Sequence, residues 1–342
     1  GSEAIEASLK LAKQYFNEIG KPKKHKVISR KQSYHGNTLG ALAVGGNIQR
    51  RSLFEDLLIE TSLISPCYKY RFQDANESEI QYGLRVANEL EDEIIRLGPD
   101  NVMAFIAETV VGATAGALTP VKGYFERIRE ICTKYNVLLI LDEVMCGMGR
   151  TGPLFACDEE KIVPDIITIA KGLGAGYQPI AAMMCQNFIN DAINLGSGFF
   201  QHGHTYLGHP IACAASLAVV NKLIKENFFE KVRKKGEYLQ KSLEVTLSQN
   251  EYIGDIRGRG LFRAVELVQN RETKEPFPKN FNIAGKIKKR SLDLGLICYP
   301  MQGTVDGTIG DHILIAPPFI INENEMNEIC QKLKTSIKNI CN

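Results

Sequence analysis

A buried strand that ends in two acids constrains the fold of this chain more than any other feature. Five apolar residues, 137–141, lead directly into Asp142 and Glu143. An uninterrupted apolar run of this length is typical of a strand covered on both faces, as in a parallel sheet. An ionised acid in such surroundings needs a partner, because burying an unpaired charge is costly. The run therefore predicts an α/β fold with a cation in front of Asp142.

Strand and helix patterns alternate through the first two thirds of the chain. This alternation predicts a mainly parallel sheet covered by helices. After about residue 225 the sequence pattern changes. It predicts a Lys-rich helix at 228–247, then a Gly-rich turn and strand, and a final helix. We therefore expect a large domain in 1–225 and a smaller α+β domain in 226–342. The strands are predicted at 27–29, 102–107, 137–141, 166–170 and 180–185, and further helices at 124–135 and 210–225.

The composition argues against recognition of a partner by bulk charge. The 342 residues include 41 basic and 39 acidic side chains, so the net charge is +2. A near-neutral chain does not favour nucleic acid or an anionic membrane surface. The nine cysteines have no CxxC spacing, which indicates reduced thiols in a cytoplasmic protein and no disulfide or zinc framework. The lysines of segment 21–26 are predicted to lie in a solvated loop.

Three predicted strands each end at a residue that can do chemistry. The segments AFIAETV, LLILDEV and IITIAKGLG end at Glu108, Asp142 and Lys171. Ligands of open α/β sheets bind beyond the carboxyl ends of the strands, so these side chains are expected at one crevice. Following a buried strand, Lys171 is expected to be partly desolvated and reactive as a Schiff-base donor.

The cation in front of Asp142 has two interpretations. Lys171 itself would make a plain buried ion pair. Alternatively, the cation is the protonated ring nitrogen of pyridoxal phosphate, a cofactor that needs a lysine on its aldehyde and an acid on its ring nitrogen. Glu143 is interpreted as structural, with Arg150 as its partner.

The sequence also contains candidate residues for binding the cofactor's phosphate and for stacking on its ring. Gly1 and Ser2 precede a clear helix, and a helix start offers free N–H groups to an anion. Tyr34 stands in a glycine loop where its ring can stack on a cofactor, and Thr205 supplies a hydroxyl in a second loop. The histidines near Thr205 have no acid or cysteine beside them, so no metal site is predicted.

Seven motifs, in order, resemble those of class III pyridoxal-phosphate aminotransferases, the omega group of fold type I. The resemblance covers essentially the whole chain and implies the fold type I architecture, with a large domain and a small C-terminal domain. Family members carry a further N-terminal segment before the first motif, which this sequence does not contain. The motifs are GSEAIEASLKLA, YHGNTLGAL, ETVVGATAG, LILDEVMCGMGRTG, IAKGLGAGYQPIAA, HGHTYLGHP and GRGLFRAVEL.

The resemblance implies a role for each matching residue. Lys171 forms the Schiff base and shuttles a proton, Asp142 pairs with the pyridine nitrogen, and Glu108 lies near the phenolic oxygen. The functional unit is a homodimer, in which Thr205 binds the phosphate held by the neighbouring subunit. The remaining cofactor contacts are Gly1 and Ser2 at the phosphate, Tyr34 and Val144 on the two ring faces, and His35, which follows the stacking tyrosine.

The implied reaction is transamination from an amine or amino acid donor to a keto acid such as pyruvate. The alternatives are a lyase or aminomutase on the same scaffold, and an inactive, truncated member of the family. The segment GTVDGTIGDHILIAPPF, where this group often carries a carboxylate-binding arginine, has none. Arg263 in the small domain is the candidate for that role, with a surface strand residue as the alternative.

Overall fold

The computed structural model of the chain describes the backbone of residues 1–341 and the side chains of residues 1–338. It contains a six-stranded sheet and a four-stranded sheet. The strands are β1 (Lys26–Arg30), β2 (Thr61–Ile64), β3 (Val102–Glu108), β4 (Leu138–Asp142), β5 (Ile166–Ile169), β6 (Ala182–Cys185), β7 (Ile253–Arg259), β8 (Phe262–Leu267), β9 (Tyr299–Gln302) and β10 (Asp311–Ile315).

Helices cover both faces of the six-stranded sheet and one face of the other. No helix within residues 1–341 is long and apolar enough to cross a membrane. The helices are α1 (Ser2–Glu18), α2 (Leu39–Ala43), α3 (Ile48–Arg51), α4 (Lys69–Phe72), α5 (Glu79–Leu97), α6 (Tyr124–Lys134), α7 (Asn187–Leu195), α8 (Pro210–Lys225), α9 (Phe228–Leu247), α10 (Ile283–Asp293) and α11 (Glu323–Cys341).

The large sheet has the order β2-β1-β3-β4-β5-β6. All neighbouring strands are parallel except β5 and β6, so the prediction of a mainly parallel sheet is confirmed. The chain runs from β1 outwards to β2 and then returns to add β3 on the other side of β1. Such a reversal of strand order opens a crevice at the carboxyl ends of the two strands, where ligands bind in sheets of this kind.

Successive side chains of the central strands pack alternately into two separate apolar cores. Phe105 and Leu139 belong to the core that α5 and α6 complete, whereas Ile106 and Ile140 belong to the core on the α1 and α7 face. Successive side chains of a strand point to opposite faces, and both faces here are covered by helices. This explains why these strands read as continuous apolar runs.

Helix α5 was missed by the sequence analysis although its ends carry clear signals. Ser78 and Gln81 form a capping box, with Gln81 N–H donating to Ser78 Oγ at 3.3 Å and Ser78 N–H donating to Gln81 Oε1 at 2.9 Å. Gly98 ends the helix with a positive φ of 83°, a conformation that glycine adopts without steric cost. The short edge strand β2 was missed as well.

The small sheet is antiparallel, in the order β7-β8-β10-β9. Helices α9, α10 and α11 pack on one of its faces and enclose a separate apolar core. All residues of this core lie at or after Val232 in the chain. The division of the chain into domains 1–225 and 226–342 remains a proposal, which these separate cores support.

Two buried basic side chains tie the chain together in ways that the sequence did not indicate. Lys24 is only 2% exposed, and its ammonium donates to the carbonyls of Pro99 and Val102, each at 2.8 Å. The prediction of a solvated loop is therefore wrong for Lys24.

In the small sheet, Arg257 donates to the carbonyl of Gly116 at 2.8 Å and to Glu266 at 2.5 Å. These bonds fix the small sheet against the loop that follows β3.

Candidate active site

A cavity opens at the carboxyl ends of β1, β3, β4 and β5, beside the start of α1. It brings together most of the residues that the sequence analysis singled out, although they lie up to 170 positions apart. Thr205 and Arg263 are absent from its wall. The lining residues are Gly1, Ser2, Tyr34, His35, Gly36, Glu108, Val110, Asp142, Val144, Met145 and Lys171.

A buried histidine holds the aspartate at the end of β4. Nδ1 of His35 lies 2.8 Å from Oδ2 of Asp142, and the side chains are 0% and 4% exposed. An ionised carboxylate only accepts hydrogen bonds, so Nδ1 carries the proton in this pair. The other oxygen, Oδ1, accepts the N–H of Val144 at 2.9 Å. His35 thus supports Asp142, a role that the sequence analysis did not assign to it.

Glu108 stands beside Asp142, because the register of β3 and β4 pairs the two residues. Its Oε1 accepts the N–H of Gly112 at 2.9 Å, and its Oε2 accepts the N–H of Tyr34 at 3.2 Å. Burial raises the pKa of the Glu108 carboxyl, and the nearby His35 opposes that effect. Glu108 therefore joins the loops after β1 and β3 at the cavity wall.

Lys171 lines the cavity, but its environment differs from the expectation. In this chain Lys171 is exposed, so the prediction of a partly desolvated lysine is wrong. Strand β5 ends at Ile169, and Lys171 lies two residues beyond it, where the sheet no longer covers the side chain. Its backbone has a positive φ of 40°, which is strained for a residue other than glycine.

The start of α1 is fastened to the loop that follows β1. Ser2 Oγ donates to Asn37 Oδ1 at 3.0 Å and accepts the N–H of Asn37 at 3.1 Å. A Cβ on Gly36 would lie 2.6 Å from Ser2 Oγ, and one on Gly1 would lie 3.0 Å from a methyl group of Val144. Backbone therefore approaches the cavity closely at both glycines.

Glu143 is structural, as expected, but Arg150 is not its partner. Glu143 is fully buried and accepts hydrogen bonds from Ala156 N–H at 2.6 Å and Cys157 N–H at 2.8 Å. Arg150 instead donates to the carbonyls of Leu261 and Pro317 at 3.1 and 2.7 Å. Desolvation lowers the pKa of Arg150 to about 10. The arginine thus joins the glycine loop after β4 to the small sheet.

Arg263 does not reach the cavity, which corrects its expected role as a carboxylate receptor. Phe262 and Ala264 face Val110 in the core next to the large sheet, so Arg263 between them points to the opposite face. There its guanidinium donates to Gln240 and to three backbone carbonyls, those of Gly236, Gly258 and Gly260.

Thr205 lies outside the cavity as well, in an exposed turn. A role for Thr205 towards a second copy of the chain stays a prediction. Three residues of the cavity wall, Gly36, Val110 and Met145, were given no site role by the sequence analysis. Val110 and Met145 follow the end of a strand by two or three positions, which is the signal that identifies them.

The fold and the cavity define the class of protein. A mainly parallel sheet with a small antiparallel sheet, an aspartate at the end of β4 that a buried histidine holds, and a lysine after the neighbouring β5 are the features of a fold type I transferase. The sequence model of the family described as Aminotransferase class-III matches residues 1–337. The chain belongs to this family and is an aminotransferase, and its family depends on pyridoxal phosphate.

Relatives and solved structures agree with this assignment. An aminotransferase of Gibberella zeae is 44% identical over 98% of this chain and 67% of its own length. The gamma aminobutyrate transaminase 3 of Solanum lycopersicum is 36% identical over 99% of this chain and 64% of its own. A thermostable omega-transaminase from Thermomicrobium roseum superimposes with a TM-score of 0.92 at 33% identity, over 99% of this chain and 73% of its own. The chain thus spans about two thirds to three quarters of the length of these proteins.

Proposed function

We propose that the chain binds pyridoxal phosphate in the cavity and transfers an amino group from an amine or amino acid donor to a pyruvate-like keto acid. The observation that carries this proposal is the supported Asp142 in the same cavity as Lys171. A related structure, the omega transaminase from Pseudomonas jessenii at 34% identity and a TM-score of 0.91, is described in complex with PMP.

The residues present fit a phosphorylated pyridine. The start of α1 presents free backbone N–H groups, and such a helix start attracts an anion. A side chain on Gly1 would crowd Val144, and one on Gly36 would collide with Ser2, so the two glycines leave this end of the cavity open to a phosphate. Gly1 and Ser2 are the proposed phosphate ligands.

The other contacts follow from the wall of the cavity. Asp142 would hold the ring nitrogen, Tyr34 and Val144 would contact the ring faces, and Lys171 Nζ would bind the aldehyde carbon. When bound, pyridoxal phosphate supplies a sink for the electrons left on the substrate carbon after that carbon loses a proton. Lys171 Nζ would take that proton and return it. Glu108 is proposed to hold the loop of Tyr34 in place.

We propose a homodimer in which Thr205 contributes to the phosphate site of the second copy. The turn of Thr205 is flanked by large apolar side chains that are exposed in the single chain, and such patches mark protein interfaces. Their exposed fractions are 62% for Phe199, 79% for Tyr206, 77% for Leu207 and 63% for Ile211.

We also propose a cytoplasmic location and small-molecule partners only. The eight cysteines with described side chains are all free thiols, which suits a reducing compartment. The net charge of +2 gives no support to a nucleic-acid or membrane partner.

The dependence of turnover on a keto acid tests the proposal. With bound pyridoxal phosphate and an amine donor alone, the protein should release at most one equivalent of carbonyl product per site. Addition of pyruvate should start continuous turnover and form alanine in equal amount. Continuous turnover without any acceptor would instead indicate a lyase.

A further inference from the structure

Helix α1 carries a polar residue at every fourth position, and each of these residues bonds to a loop. Residues four apart are neighbours on a helix surface, so the set forms a continuous stripe. The first two hold the loop after β1. Ser2 bonds to Asn37, and Glu6 Oε1 accepts the hydroxyl of Thr38 at 2.6 Å and the N–H of Ala41 at 3.0 Å. The stripe consists of Ser2, Glu6, Lys10, Gln14 and Glu18.

The other three residues of the stripe hold the segment 197–202. Glu18 Oε2 accepts the N–H of Ser197 at 3.1 Å, and Lys10 Nζ donates to Nδ1 of His202 at 3.2 Å. Partial burial and the charge of Lys10 lower the pKa of His202, which keeps its ring neutral and able to accept this bond. The order of these contacts shows that the segment runs back along α1 towards the start of the helix.

Gln14 makes the central contacts of this stripe. Its Oε1 accepts the N–H of Gln201 at 2.9 Å. Its Nε2 donates to the carbonyl of Phe199 at 2.9 Å and to Ser197 Oγ at 3.0 Å. The amide thus grips the backbone on both sides of Phe200, whose ring packs against the core on the α1 face.

The place of Gln14 separates it from the cavity of its own chain. Twelve residues of helix lie between Ser2 and Gln14, a distance of about 18 Å along the axis. Gln201, in contrast, is only four residues before Thr205. Gln14 is therefore closer along the chain contacts to the turn of Thr205 than to the proposed phosphate ligands of its own copy.

We propose that Gln14 is a positioning residue that acts through segment 197–202 on Thr205, and so on the phosphate site of the second copy. The inference rests on the proposed homodimer and on the proposed role of Thr205 in it. A loop that must first be ordered binds its ligand more weakly, because the ordering consumes part of the binding free energy. The bonds to α1 order this segment in advance.

A double-mutant cycle tests the connection between the two residues. Thr205→Val removes the hydroxyl and keeps the shape, and should weaken binding of pyridoxal phosphate about tenfold or more, as for a lost bond to a charged group. Gln14→Leu should weaken it about 3- to 10-fold. In the double variant, Gln14→Leu should add nothing to the effect of Thr205→Val. Losses that multiply would show that the two residues act independently and would overturn the inference.

Mixed dimers test whether the effect reaches the other copy. Two versions of the chain with different affinity tags, expressed together and purified over both tags, give dimers of known composition. Lys171→Ala in one version leaves only the other version able to form the cofactor absorbance band. Gln14→Leu should weaken the titration of that band when it is in the Lys171→Ala version, and should leave it unchanged when it is in the version that keeps Lys171. Weakening from the same copy only, equal weakening from both copies or none at all would overturn the inference.

Asn17→Leu is the matched control. Asn17 is exposed and bonds to Lys13 within α1, so this variant also replaces an amide by an apolar side chain on the same helix. It should leave the affinity unchanged in every dimer. Ser197→Ala removes one partner of Gln14 and should reproduce the effect of Gln14→Leu to a smaller extent. It decides the question if the Gln14→Leu chain does not assemble.

The failure of the inference is distinguishable from that of the proposed function. If the wild-type protein forms the band and Thr205→Val weakens it, while Gln14→Leu has no effect, only the inference fails. If the band forms and Thr205→Val has no effect, the proposed role of Thr205 fails together with the inference. If the wild-type protein forms no band, the proposed function and the inference both fail.

Discussion

Nδ1 of His35 and Oδ2 of Asp142 lie 2.8 Å apart in a buried pair that joins the loop after β1 to the end of β4. The pair makes the orientation of Asp142 independent of solvent. Without His35, Oδ2 of Asp142 would lose its hydrogen-bond partner. Asp142 would then keep only the bond in which its Oδ1 accepts the N–H of Val144. His35 therefore acts through Asp142 as a positioning residue.

Replacement of His35 tests this role. A hydrogen bond to a charged group contributes about 1.5–3 kcal/mol, so His35→Leu should weaken binding of pyridoxal phosphate by roughly tenfold or more. His35→Gln, which keeps a donor, should lose less. Spectrophotometric titration gives both affinities, with the exposed His25→Gln as the control. Equal affinity in wild type and His35→Leu would refute the role.

Replacing the carboxylate of Glu143 or of Asp142 by an amide should affect different properties of the protein. In Glu143→Gln, the new NH2 group would face the backbone donors of Ala156 and Cys157, and we expect a loss of about 1–3 kcal/mol in the free energy of unfolding. Asp142→Asn should instead lower kcat by roughly 100-fold or more, because the fixed charge at the ring nitrogen is lost. Urea unfolding and steady-state kinetics of both variants measure the two effects. Similar losses of stability in both would contradict this separation.

The strained backbone of Lys171 predicts a conflict between stability and activity. A left-handed conformation costs a non-glycine residue roughly 1–2 kcal/mol, and glycine relieves that cost. Lys171→Gly should therefore be about 1 kcal/mol more stable than Lys171→Ala, after allowance for the greater freedom of unfolded glycine. Both variants should be inactive. Thermal unfolding without cofactor compares them, and a less stable glycine variant would show that the φ of 40° carries no strain.

Asp311 predicts a pH dependence of stability in the small sheet. It is 1% exposed, its Oδ1 accepts Ala284 N–H at 3.1 Å, and its Oδ2 has no hydrogen-bond partner within the part of the chain that the structure describes. Burial raises the pKa of Asp311 to about 6 from 3.8. The folded state then binds more protons than the unfolded state between these values, so the contribution is full below pH 3.8 and falls as pH rises to 6.

The Asp311→Asn variant isolates that contribution. At 1.36 kcal/mol per pKa unit, the free energy of unfolding of the wild type should fall by about 3 kcal/mol in all relative to Asp311→Asn, with about 2 kcal/mol of this fall between about pH 4 and 6. The difference should become level above about pH 7. Urea unfolding at several pH values measures it. A difference that does not vary with pH would contradict the assignment to Asp311.

The sequence predicted the strand ends better than the contacts across the fold. Glu108 and Asp142 end buried apolar runs, and the parallel sheet alone brings such ends to one edge. The His35–Asp142 pair joins residues 107 positions apart, and no local pattern encodes that contact. The register of Glu108 opposite Asp142 likewise emerges only from strand pairing.

The errors have a common physical origin in packing between elements. Arg263 lies in a strand whose inner and outer faces depend on which side the large sheet occupies, and this is not a property of the strand itself. Lys24 looks solvated among other lysines, but three carbonyls, those of Pro99, Val102 and Tyr135, surround its ammonium. Lys171 was expected to share the burial of β5, although the strand ends two residues earlier.

The central claim is that Lys171 anchors pyridoxal phosphate opposite Asp142. The most direct measurement is the absorbance spectrum of the protein with pyridoxal phosphate before and after borohydride, followed by mapping of the labelled peptide. We predict a visible band that borohydride removes, with the label on Lys171, and no band in Lys171→Ala. A label on another lysine, or a band of equal strength in Lys171→Ala, would contradict the account.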